Sequence, residues 1–165
     1  MVQPPRFCRP GQATSSTSPA SFGCVEISLP QGPSELALTL VHEFQHAVLG
    51  ALLDYVSLTL PAERSQFYAP WVGAMRPAKL LLQGAYAHLA VADFWRGCRD
   101  LHGGREQRRH AAAQYARIRA EVTWSIDQLR GSGALTPAGE RFADQLRAAC
   151  DGLDEWPGRP YLAAR

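Results

Sequence analysis

The chain has 165 residues, 46% hydrophobic and 19% charged, a balance that suits one folded domain and excludes wholesale disorder. Seventeen Lys and Arg against fifteen Asp and Glu leave a formal net charge of +2, too balanced for nucleic acid or an anionic membrane to be the main partner. No uninterrupted apolar run approaches the ~18 residues of a membrane span, and Cys8, Cys24, Cys98 and Cys150, far apart and without a C-x-x-C pair, fit a reducing cytoplasm better than a zinc ribbon or disulfide scaffold.

Residues 1–21 are rich in Pro, Ser, Thr and Gln and read as a mobile arm or an extended edge segment. No apolar stretch follows Arg6 to make a signal peptide. From Ser21 to Leu29, Val25, Ile27 and Leu29 alternate with Cys24, Glu26 and Ser28, the period of a half-buried strand. Its partner is the N-terminal arm, a second molecule in a homodimer, or a region outside this chain, since one strand cannot stand alone. Pro30 to Pro33 make a turn, Ser34 is placed to cap the next helix, and Glu35 suits its positive end. Leu36, Leu40, Val41, Phe44, Val48, Leu49, Leu52 and Leu53 recur at helical spacing, apolar enough to predict a central helix.

A loop is expected from Leu60 to Trp71, then a second helix from Pro77 to Leu101 ended by Gly103 and Gly104. A third helix runs from Glu106 to Arg130 and stops at Gly131; Thr136 and Pro137 open a fourth that fades near Gly152. The prediction is a mainly α protein: four long helices with a small N-terminal β element, in a single metal-binding domain over 22–156 with a tail at 157–165.

His42-Glu43-Phe44-Gln45-His46 is an HExxH motif inside the first helix. Imidazoles four residues apart project from one helical face and can share a metal ion, and Glu43 is near enough to reach a metal-bound water or orient a ligand. The extended form HExxHxxGxxH is excluded, because Leu49 and Leu52 stand where Gly and His are needed. The second helix contains no Glu, so its candidates for the third ligand are His88, flanked by apolar residues, with Asp93 in reserve. Such a donor set suits zinc hydrolysis and non-haem Fe(II) oxygen chemistry alike. His102 and His110 read as solvent-side residues, and Arg105, Arg108 and Arg109 as a solvated face.

Five strings occur in order after this point. They are Leu40-Val41-His42-Glu43-Phe44-Gln45-His46, Tyr68-Ala69-Pro70-Trp71, Arg76-Pro77, Leu82-Gln83-Gly84-Ala85-Tyr86-Ala87-His88 and Phe94-Trp95-Arg96. With the late Gly133-Ala134-Leu135-Thr136-Pro137-Ala138-Gly139, the chain from about Phe22 to Leu146 resembles the HExxH-motif peptide-modification domain. That domain is found beside radical-SAM maturases in gene clusters for ribosomally made, modified peptides. The resemblance implies an Fe(II)- and 2-oxoglutarate-dependent hydroxylase acting on a β-carbon, often of Asp, in a precursor peptide, with a radical-SAM maturase as a pathway partner. Carried over, it makes His42 and His46 iron ligands, His88 the third, and Glu43 a group that positions water or a ligand. The far carboxylate of 2-oxoglutarate needs a cation or hydroxyl, for which Arg76 comes first, then Arg96 and Lys79, with Tyr68 and Tyr86 as donors. Trp71 and Trp95 are candidates for an apolar wall. After Trp71, Val72-Gly73-Ala74-Met75 replaces the Arg and acidic residues the resemblance leads one to expect. Two other readings stand beside it. One is a zinc metallopeptidase with Glu43 as general base; the other is a non-catalytic module that binds a leader peptide or maturase.

Overall fold

The computed structural model describes residues 15–17, 25–27, 32–61, 64–100 and 104–155. Cys8, Cys24, His102 and the tail at 157–165 lie outside them. Among the described residues the protein is mainly helical, with four α-helices and two small antiparallel β-pairs.

Strand β1 (Ser15–Thr17) pairs antiparallel with β2 (Val25–Ile27), Ser15 opposite Ile27 and Thr17 opposite Val25. The N-terminal segment therefore supplies the partner of the period-two strand. Helix α1 (Pro33–Leu53) carries the HExxH motif. Its N-cap is Gly32 with Pro33 in the first turn, and no side chain caps it, so Ser34 does not take the expected role. A proline at this point loses nothing, because the first N–H groups have no helical partner.

The stretch expected to be a loop contains a strand. β3 (Gln66–Ala69) pairs with β4 (Ala74–Pro77) in a hairpin, Phe67 facing Arg76 and Tyr68 facing Met75. Gly73 closes the turn at φ +67°, and its N–H reaches the Ala69 carbonyl at 2.9 Å. The Gln128 side chain donates to the Tyr68 carbonyl at 3.0 Å, tying the hairpin to the third helix. Pro77 ends β4 and is not helical; α2 (Ala78–Asp100) follows it without a loop.

α3 (Arg105–Leu129) starts at Gly104, whose N–H donates to the Gln107 side chain at 2.8 Å. α4 (Pro137–Asp151) has Thr136 as N-cap, its hydroxyl accepting from the Gly139 N–H at 3.0 Å and donating to the Ser57 carbonyl at 2.7 Å. Gly139 lies against the Leu58 carbonyl, where a Cβ would overlap, so the start of α4 is docked on the segment that follows α1. A 3-10 turn (Gly152–Asp154) closes the described chain. Its Asp154 accepts from Tyr115 at 2.8 Å and from Arg119 at 2.9 Å.

The core lies between α2 and α3, where Leu81, Ala85, Val122, Ile126 and Leu129 are fully buried. α1 is not central. Only Glu43 and Leu49 of that helix are buried, and Leu36, Leu40, Phe44, Val48 and Leu52 are exposed. By length and composition α1 also passes the test for a membrane span, at a mean hydropathy of 1.4, although no single apolar run is long enough. It carries His42, Glu43, Gln45 and His46 at its middle and packs along α2.

Candidate metal centre

The spacing of His42 and His46 sets both rings on one side of α1, with centroids 4.6 Å apart at 78°. α2 brings a third ring to the same place: His88 lies 5.0 Å from His42, also edge-on at 81°. His88 Nδ1 is 2.8 Å from the carbonyl of Gly84, one turn earlier. A carbonyl only accepts, so Nδ1 carries the proton and Nε2 keeps its lone pair. Trp71 stacks on the His88 ring at 4.4 Å and 17°. Gly84 makes that stack fit, since a Cβ there would run into the Trp71 indole. Trp71, Gly84 and His88 thus act as one unit that fixes the imidazole's plane and tautomer.

Burial pushes the His88 pKa down to about 4; its bond to Gly84 opposes this, and the charges of His42, His46 and Arg117 add to it. Burial, then His42, also lowers His46, against an opposing pull from Glu43. Both imidazoles are therefore neutral at physiological pH, the form that binds a metal. Three imidazoles holding one ion at ~2.1 Å have ring centres ~5 Å apart, and the spacings of His42 to His46 and to His88 match that. Among the described residues, however, no group of three or more His, Cys, Asp or Glu side chains is placed so that it could hold a metal ion as it stands.

Glu43 is 4% exposed, and its Oε1 lies 3.3 Å from His42 Nδ1. A carboxylate on Nδ1 leaves the other ring nitrogen of His42 for an ion, the arrangement that commonly orients metal-binding imidazoles.

A cleft of about 460 Å³ opens beside the rings. Leu38, Thr39 and His42 line it from α1, Trp71 from the hairpin turn, and His88, Val91 and Trp95 from α2. Its last wall is α3, with Gln114, Arg117, Ile118 and Glu121. Arg117 donates from Nη1 to Glu121 and from Nη2 to Gln114, both at 2.8 Å. Glu121 Oε2 is buried and has no hydrogen-bond partner among the described residues. The sequence reading passed over these three residues. Their spacing of three and four does put them on one helical face, but nothing local distinguishes that face from an ordinary solvated one.

The other sequence candidates lie elsewhere. Tyr68 is exposed and meets Trp124 edge-on. Arg76 faces Phe67 across the β3–β4 pair. Tyr86 packs on Phe142 and, with Asp93, lines a second cavity between α2 and α4. Arg96 is buried and bonded to Asp93 at 2.7 Å. None of these lines the cleft beside His42 and His88, and neither does His46, Glu43 or Lys79. His110 is exposed, as expected, with its ring against Trp95. Compared with models of known protein families and with curated proteins, the sequence matches none.

Proposed function

We propose that the chain is an Fe(II)- and 2-oxoglutarate-dependent hydroxylase acting on a β-carbon, of Asp or a similar residue, in a ribosomally made precursor peptide. The observation that carries the metal part of this reading is the meeting of three imidazoles from two helices, with the His88 tautomer set by Gly84. The choice of cosubstrate and substrate rests on the motif strings. When bound, Fe(II) with 2-oxoglutarate and O₂ replaces a peptide C–H by C–OH, while 2-oxoglutarate leaves as succinate and CO₂. In this reading His42, His46 and His88 hold the ion, and Glu43 orients His42. Trp71 and Trp95 form an apolar side of the cleft that limits water near the reacting carbon. The site is read as cytoplasmic, with the precursor peptide and a radical-SAM maturase as partners.

The zinc peptidase reading asks Glu43 to deprotonate a water at the metal. Glu43 is buried with its Oε1 3.3 Å from the His42 ring, a contact that supports the orienting role it has in the oxygenase reading. Oxygen-free protein loaded with Fe(II) is expected to develop a visible charge-transfer band on addition of 2-oxoglutarate. Absence of the band, together with tightly held zinc and peptide cleavage, would return the assignment to the peptidase.

A further inference from the structure

We propose that helix α1 is a dimer interface, through which two copies of the chain pair by their exposed apolar faces with the two-fold axis at Phe44. The exposed row Leu36, Leu40, Phe44, Val48 and Leu52 advances four residues at a time, which makes it a ridge of the i±4 kind. At about 100° per residue, every position from Leu36 to Leu52 within an arc of about 160° centred on Phe44 is apolar. Ala37, Ala47 and Ala51 lie beside the ridge and leave a shallow groove. The ridge of one copy fits that groove on the other when the helices cross at about −50°. Exposed fractions of 37% at Leu36 to 62% at Phe44, with Tyr55 at 91%, leave about 600 Å² of apolar surface per copy, against the roughly 500 Å² per partner that a specific interface must clear.

Charge selects a second copy over a lipid surface. In an isologous contact each side chain near the axis meets its own counterpart, so any charge there would face its like. The acidic residues of α1 are Glu35 and Glu43, both outside the arc, and the helix contains no Lys or Arg. A helix lying on a membrane carries Lys and Arg along its polar face. A spanning α1, which its mean hydropathy of 1.4 would allow, would take His42, Glu43 and His46 to the middle of the bilayer, at high cost. Pairing also bears on the histidines. α1 holds two of the three and buries only two residues among the described ones, so a second copy clamps this helix against α2 from the open side.

The test is sedimentation velocity of the full chain between about 1 and 100 μM, with circular dichroism to confirm folding. A reversible species of twice the chain mass is expected. Phe44→Glu and Leu40→Glu, which place like charges at the crossing, should each raise its dissociation constant at least about tenfold. Met75→Glu, at an exposed apolar residue of the β3–β4 hairpin, should leave the constant within about twofold. A monomer throughout the range overturns the proposal. So does a dimer that Phe44→Glu and Leu40→Glu both leave intact, which would lie on another face. A monomer that floats with vesicles of neutral phosphatidylcholine would assign the row to lipid instead.

Discussion

Helices α1 and α2 hold the three histidines between them but occupy opposite places in the molecule. α1 is the more apolar in sequence, and it buries two residues, one of them Glu43. α2 is interrupted by Gln83, His88, Asp93 and Arg96, and it buries nine residues. The difference lies in neighbours and side-chain size. Gly84, Ala85, Ala87 and Ala92 let Trp71 and α3 come close to α2, which also touches α1, α4 and both strands of the β3–β4 hairpin. α1 meets α2 on one side and the β1–β2 pair on another, and among the described residues nothing covers the row from Leu36 through Phe44 to Leu52. Hydropathy tells which side chains gain by burial; the number of elements packed around a helix decides which of them achieve it.

The largest expected effect tests α2 as the core helix. Leu81→Ala removes a side chain that is 0% exposed and should cost about 3–5 kcal/mol, read from the urea midpoint. A cost near that of a surface substitution would break the comparison. Next is acidification of the metal-free protein. The folded pKa of His88 is about 4, below its ordinary 6.5, so between those values the unfolded chain binds the extra proton. Stability present above pH 6.5 is then lost as pH falls toward 4, by an amount on the order of 3 kcal/mol. The lowered His46 contributes in the same direction. A stability that stays flat across this window would contradict the burial of the His88 ring.

Gly84→Ala probes the close approach that α2 permits. The added Cβ meets the Trp71 ring, and about 1–3 kcal/mol of destabilisation is expected, with a change in Trp fluorescence as the stack on His88 opens. The smallest effect belongs to α1. Phe44 is 62% exposed, so at concentrations too low for two copies to pair, Phe44→Ser should change the unfolding free energy by no more than about 0.5 kcal/mol. A cost of several times that would show that the chain itself covers the α1 row.

Much of the local structure was legible before any coordinates. The helix bounds at Gly131 and Pro137, and the Thr136 cap, follow from residue types that act on their own backbone, whereas α1 starts at Pro33, capped by Gly32, one or two residues before the start that a Ser34 cap predicts. The β3–β4 hairpin was not legible, because Gln66–Ala69 and Ala74–Pro77 are short, flank a Pro, and take their strand character from each other and from Gln128. At the site, the sequence puts His42 and His46 on one helical face and nominates His88; only folding brings the His88 ring 5.0 Å from His42. Ranking the cations of the chain by position in sequence put Arg76 first, whereas the wall of the histidine cleft carries Arg117.

The sequence by itself determined the four helices, the HExxH pair and the period-two strand, since periodicity, capping and turn chemistry operate within a few residues. Tertiary structure alone decided that α2 and not α1 is the core helix, that Trp71 and Gly84 set the His88 ring, and that Arg117 and Glu121 face the histidines. These are contacts between residues far apart in the chain. Their energy depends on how closely two elements approach, which no single stretch of sequence encodes.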